Sequence, residues 1–111
     1  MTTRLTYAIK YVADMNKAVA FHRDQLGLKL KFQSPEWSEF DTGATTLALH
    51  AASGANPAGC VELGFGVNDL VAFYRDKSEH GIQFVSAPEP MHGTKIATFV
   101  DSEGARTSIS G

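Results

Sequence analysis

The stretch Val19-Ala20-Phe21-His22-Arg23-Asp24 decides the fold, because the second half of the chain repeats it as Val71-Ala72-Phe73-Tyr74-Arg75-Asp76. Five of the six residues agree between the two copies. A glycine follows each copy at a helix-ending position, Gly27 in the first half and Gly81 in the second. Internal repetition of this kind indicates duplicated supersecondary units that share a core.

The residues around the first copy predict one strand, one helix and three further strands. Asp14 offers an N-cap for the helix, since its side chain can accept a hydrogen bond from the first helical turn. Leu28, Leu30 and Phe32 alternate with polar residues, as in a half-buried strand. The predicted bounds are strand 5–12, helix 15–25 and strands 28–33, 37–41 and 45–50.

The segment 51–59 is rich in Ala, Ser, Gly, Asn and Pro, and it reads as the linker between the copies. After it the same order returns: strand 60–67, helix 70–80, strand 82–85, a proline-containing loop 86–93, and strands 95–100 and 106–110. The chain is therefore predicted to be a single α+β domain of two tandem modules. Module one covers about 4–52 and module two about 60–111.

Composition narrows the class of protein. The 111 residues are 43% hydrophobic and 20% charged, which is typical of a soluble globular domain. The net charge of -2 and the lack of a Lys/Arg run argue against a nucleic-acid partner. We found neither a signal-peptide pattern nor an apolar stretch of membrane-spanning length, so we expect a cytoplasmic protein without a membrane partner. Cys60 is the only cysteine, which excludes an intramolecular disulfide.

A family resemblance rests on the ordered set of motifs. Each half has a strand that ends near Asp, followed by a helix carrying Phe-His/Tyr-Arg-Asp, and the first half adds Leu26-Gly27-Leu28. The segment Phe99-Val100-Asp101-Ser102-Glu103-Gly104 resembles a closing Asp-Pro-Asp-Gly turn, with serine in place of proline. The chain thus resembles the vicinal oxygen chelate superfamily, which has the glyoxalase/bleomycin-resistance/dihydroxybiphenyl dioxygenase fold. The resemblance implies tandem βαβββ modules, a ligand cavity and a homodimer.

In this family, enzymes that need a metal hold it with His, Gln or Glu on the first and last strands of each module. The resemblance places Tyr7 and Glu62 at the first-strand positions, Ser108 at one last-strand position, and Leu47 or Ala48 at the other. Of these only Glu62 is a good metal ligand, although His50 could supply a second. We therefore expect neither a metal nor another cofactor, with a divalent metal as the less favoured alternative.

Glu62 lies in a strand that alternates sharply. Val61, Leu63, Phe65 and Val67 form an apolar face that we expect under the helix, while Glu62 lies beside Gly64 and Gly66 on the other face. Glycines on one face leave room for a ligand to approach closely. Glu62 is therefore the candidate catalytic base, with a solvated carboxylate as the equally weighted alternative.

Seven residues are candidates for ligand binding: Tyr7, Trp37, Phe40, His50, Glu62, His92 and Ser108. Aromatic side chains supply most of the contact area for a flat or apolar molecule. The alternatives are core packing or a dimer interface for Phe40, a solvent-exposed strand end for His50 and a mobile surface loop for His92.

Three functions remain open from the sequence. The first is a metal-free binding protein of the bleomycin-resistance type that sequesters a small, partly aromatic molecule. The second is a glyoxalase- or dioxygenase-like enzyme that uses Glu62, with or without a divalent metal. The third is a partner-binding subunit without a ligand.

Overall fold

The computed structural model describes residues 2–111, and within them it contains eight strands and two α-helices. The first half contains β1 (Arg4–Val12), α1 (Met15–Ala20), β2 (Lys29–Phe32), β3 (Trp37–Asp41) and β4 (Thr46–Ala51). The second contains β5 (Val61–Gly66), α2 (Leu70–Glu79), β6 (Gln83–Met91), β7 (Thr94–Val100) and β8 (Arg106–Ser110). Both halves have the order βαβββ, so the predicted α+β class and the tandem modules are confirmed.

The chain divides into two compact units, residues 6–61 and residues 62–111 together with 2–5. In the first unit the strand order is β2-β3-β4-β1, and β1 runs parallel to β4. Helix α1 covers one face of this sheet. Val19 of the helix packs there against Phe40 and Leu49, and all three side chains are fully buried.

In the second unit the strand order is β5-β8-β7-β6, with β5 parallel to β8. Helix α2 supplies Leu70 and Phe73 to a core that also contains Val67, Ala97 and Ile109. This core has the same layout as that of the first unit, with one helix on one face of a four-stranded sheet.

An aspartate caps the start of each helix, Asp14 for α1, as the sequence predicts, and Asp69 for α2. The side chain of Asp14 accepts a hydrogen bond from the backbone N–H of Lys17 at 3.1 Å, and Asp69 accepts one from Ala72 at 3.0 Å. Each carboxylate therefore satisfies a backbone donor that has no partner within its own helix.

The first helix differs from the prediction in its second half. After Ala20 the backbone widens into a π-helical turn over Phe21–Gln25. The wider turn changes which side chains face the sheet, and Phe21 and Leu26 are both about half exposed. The predicted helix over 15–25 is therefore a regular α-helix only as far as Ala20.

The predicted loop over 86–93 is also wrong, because β6 continues as a strand to Met91. Pro88 and Pro90 lie inside it. They are tolerated because β6 is at the end of the strand order of its unit, where a backbone N–H that points away from β7 needs no partner. The pairing with β7 is irregular between Phe84 and Glu89, which accommodates the prolines.

On β5, the expected apolar face is only half covered. Val67 is buried and Phe65 packs against the α2 core, whereas Val61 and Leu63 are exposed. Helix α2 starts directly after the C-terminal end of β5, so it covers that end of the strand and leaves the beginning open. Among residues 2–111, neither helix has the length and apolar character needed to cross a lipid bilayer.

Candidate functional site

Four aromatic rings lie on one face of the sheet of the first unit. The register pairs Tyr11 with His50 across β1 and β4, and His50 with Trp37 across β4 and β3. Residues in register share a face, and side chains two positions apart on a strand do so as well, which adds Tyr7 to the set. We call this surface, made of Tyr7, Tyr11, Trp37 and His50, the aromatic face. Helix α1 covers the opposite face.

The rings touch one another. The ring centroid of Trp37 lies 5.8 Å from that of Tyr7 and 5.8 Å from that of His50, both in edge-to-face geometry. The ring centroids of Tyr11 and His50 are 5.1 Å apart. These separations are those of favourable aromatic pairs. Ile9 and Ala48 are buried between the rings on the same face. The side chains of Tyr7, Trp37 and His50 remain partly exposed, so they can contact a ligand.

Glu39 lies on the same face, two residues after Trp37 on β3. Its Oε2 accepts a hydrogen bond of 2.8 Å from Nε1 of Trp37. The Lys31 ammonium lies 3.7 Å from its Oε1, and Lys31 also donates to the Thr46 hydroxyl. Glu39 is not among the residues predicted for the site, although strand alternation places it on the same face as Trp37.

The hydroxyl of Tyr7 is the second group directed at Glu39. Partial burial raises the pKa of Tyr7, and the negative charge of Glu39 and a hydrogen bond to that carboxylate raise it further. Tyr7 is therefore a neutral hydrogen-bond donor at physiological pH. Glu39 links the two rings that flank it.

Phe40 is placed differently from the expectation that it lines a ligand pocket. It lies on the helix-covered face, fully buried between Val19 and Leu49. Consecutive residues of a strand point to opposite faces, so Phe40 cannot share a surface with Glu39 and Trp37. Its role is core packing, which was the alternative considered from the sequence.

His50 is on the aromatic face and partly buried. Its Nδ1 is 2.8 Å from the backbone carbonyl oxygen of Ala51. This contact and the rings of Tyr11 and Trp37 hold the imidazole in place, and its role in ligand binding stays a prediction.

Glu62 and Ser108 lie in the second unit. Ser108 is buried on β8, where it is in register with Gly64 of β5 and Thr98 of β7. Glu62 is partly buried on β5, two residues before Gly64 and therefore on the same face. This face combines glycines with hydroxyl side chains, in contrast to the aromatic face of the first unit. The ligand-binding and catalytic roles of Glu62 and Ser108 stay predictions.

His92 lies in the turn between β6 and β7. With φ values of 49° for His92 and 82° for Gly93, the turn has the left-handed conformation of a tight hairpin. The turn borders an open groove of about 660 Å³, which is lined by residues of the second unit, among them Asn68, Asp69, Leu70, Met91 and Lys95. His92 is exposed at its rim. The groove is a second candidate surface, but its lining contains no cluster of aromatic rings.

The residues at the family's metal positions do not fit a divalent metal. In the first unit, Tyr7 shares its face with Ala48, which has no donor atom. Over residues 2–111, no three His, Cys, Asp or Glu side chains come together in a group that could hold an ion. We therefore derive no chemistry through a metal.

Comparison with known proteins agrees with this architecture. The sequence profile of the Glyoxalase/Bleomycin resistance protein/Dioxygenase superfamily matches residues 4–109. The chain belongs to this superfamily, as the motif resemblance indicated. No curated protein sequence is significantly similar to it.

Solved structures show the same fold at low sequence identity. A hypothetical protein from Bacillus halodurans C-125 is 15% identical, with a TM-score of 0.81 over 99% of this chain and 94% of its own. The methylmalonyl-CoA epimerase of Mycobacterium tuberculosis is 19% identical, with a TM-score of 0.79 over 96% and 85%. A superfamily member from Vibrio splendidus 12B01 is 18% identical, with a TM-score of 0.72 over 98% of both chains.

Proposed function

We propose that this protein binds a small, planar, partly aromatic molecule on the aromatic face of its first unit. The observation that carries the proposal is a set of four rings on one sheet face, each close to at least one of the others and three of them partly exposed. A surface of this kind buries the flat face of a ligand at little cost in conformational entropy, because its side chains are already held in place.

Superfamily membership supports the proposal, since the superfamily's own description includes bleomycin resistance proteins. Sequestration needs a shaped apolar surface and a few polar groups, and it does not need a metal. The aromatic face has both features, because Glu39 and the hydroxyl of Tyr7 lie among the rings.

A thermal-shift titration tests the proposal. We compare benzyl methyl ether with its saturated counterpart, cyclohexylmethyl methyl ether, which has similar size but no flat ring. A ligand that binds the folded state raises the melting temperature by mass action. We expect the aromatic ether to stabilise the protein at lower concentration than the saturated one.

Two variants locate the site. Trp37→Leu should weaken binding of the aromatic ether about tenfold, because it removes the ring at the centre of the face. His92→Ala, on the rim of the groove in the second unit, should leave binding unchanged. If neither ether binds, or if His92→Ala weakens binding and Trp37→Leu does not, the proposed function is refuted.

A further inference from the structure

Glu39 is a partly buried carboxylate that lies beside the rings of the aromatic face. Its side chain is only 22% exposed. Trp37 donates a hydrogen bond to it from one side and Tyr7 approaches from β1. Both contacts use aromatic side chains, so the carboxylate is held in a fixed position beside the rings of the aromatic face.

The hydrogen-bonding capacity of Glu39 is not exhausted by these contacts. An ionised carboxylate has about four acceptor positions. Trp37 and Tyr7 occupy two of them, and the Lys31 ammonium, at 3.7 Å, is beyond hydrogen-bonding distance. Within residues 2–111 no other side chain donates to Glu39. A partly buried carboxylate with free acceptor positions favours a donor brought by a ligand.

The charge of Lys31 decides which kind of donor fits. Its ammonium lies on the same side as the carboxylate and is kept there by the hydroxyl of Thr46. Lys31 offsets much of the charge of Glu39, so a cationic ligand group gains little net attraction there, while an anionic group at Glu39 would be repelled by the carboxylate itself. A neutral N–H or O–H group can donate to the carboxylate without adding a like charge beside either side chain.

We propose that Glu39 is a ligand-binding residue that accepts a hydrogen bond from a neutral hydroxyl or N–H on a planar aromatic ligand. This inference rests on the proposed function and narrows its ligand class to flat, uncharged molecules such as phenylmethanols and aromatic amides. Trp37 and Tyr7 then have two roles. They contact the ring of the ligand, and they hold the Glu39 carboxylate, which accepts the hydrogen bond from the donor group of the ligand.

The test uses the fluorescence of Trp37, which is the only tryptophan in the chain and lies at the site. Benzyl alcohol and benzyl methyl ether share one ring and differ in the donor. We expect the alcohol to bind about tenfold more tightly to the wild-type protein, as one hydrogen bond to a charged acceptor allows. We also expect benzylamine, which is cationic at neutral pH, to bind less tightly than the alcohol.

The variant Glu39→Met keeps the length of the side chain and removes the acceptor. It should reduce the preference for benzyl alcohol over the ether from about tenfold to about one. The matched control is Glu36→Met, which changes an exposed glutamate at the start of the same segment and should preserve the tenfold preference.

The outcomes separate the two proposals. If both ethers fail to bind, the proposed function is refuted and the inference fails with it. If the aromatic ether binds but the alcohol is no tighter, or if the preference survives in Glu39→Met, the inference alone is overturned. Tighter binding of benzylamine than of benzyl alcohol also overturns it, as does an equal loss of alcohol and ether binding in Glu39→Met.

Discussion

Replacing Phe40 by alanine should strongly destabilise the first unit. The side chain is 0% exposed, and its neighbours Val19 and Leu49 are at most 1% exposed, so neither water nor a flexible surface group can fill the space left behind. Burial this complete places the cost in the upper part of the usual range for such a change, at about 4 kcal/mol. With a urea dependence of about 1.5 kcal/mol per molar, the unfolding midpoint should fall by about 2.7 M.

The assay is urea unfolding followed by Trp37 emission and by far-ultraviolet circular dichroism. The matched control is Phe32→Ala, which removes the same ring from a position that is 53% exposed and should cost less than about 1 kcal/mol. If the two variants were equally stable, the assignment of Phe40 to the core would be refuted.

A milder variant tests the ligand-pocket interpretation of Phe40. Phe40→Leu should fold, lose about 1.5 kcal/mol of stability, and bind benzyl methyl ether within about twofold of the wild-type affinity. Loss of ether binding without loss of stability would mean that Phe40 lines the ligand site, against the placement described above.

Three further predictions follow from other features. Because the pKa of Tyr7 is raised on folding, its contribution to stability should be fully present below the pKa of an unfolded tyrosine, about 10, and lost as the pH rises through the folded-state value. Urea midpoints from pH 8 to 11 should therefore fall more steeply for the wild-type protein than for Tyr7→Phe, and parallel curves would contradict this. His92→Asn should raise the unfolding free energy by about 0.5 kcal/mol, because asparagine adopts φ near 49° more readily, whereas the β-branched His92→Val should lower it. Asp69→Ala should cost about 1 kcal/mol through loss of the cap on Ala72, which thermal unfolding beside the exposed-site control Glu79→Ala would detect.

The sequence predicts the frame of this protein well, because its strongest signals are local. Asp14 and Asp69 mark helix starts through their own hydrogen bonds, and Gly27 and Gly81 follow the helical segments with positive φ. The repeat then fixes the order of the elements in both halves. None of these inferences needs knowledge of which strands pair.

The errors arise where tertiary context overrides local patterns. Pro88 and Pro90 normally indicate a loop, and only the position of β6 at the end of its unit's strand order explains why a strand tolerates them. Likewise, the π-helical turn after Ala20 changes the direction in which the following side chains point around the helix axis, and no periodic pattern in the sequence shows this change.

Three of the residues predicted to bind a ligand lie together in the structure. Trp37, His50 and Tyr7 come together on one face, but the parallel pairing of β1 with β4 that brings Tyr7 there is a long-range fact. The placement of Phe40 and the omission of Glu39 share one cause. The aromatic residue at position 40 was grouped with Trp37 by type, whereas strand alternation groups Trp37 with Glu39.

The parallel pairings also bear on how fast the chain folds. They join β1 to β4 and β5 to β8, segments roughly 40 residues apart, whereas β3–β4 and β6–β7 are antiparallel pairs of consecutive strands. Such hairpins form within about 10 μs. Parallel pairing of distant segments is slower, because the entropy of closing a long loop is lost before stabilising contacts form. Each half therefore has a folding barrier set by the docking of its first strand, so mutations in β1 or β5 should slow refolding more than equally destabilising mutations at the hairpin turns.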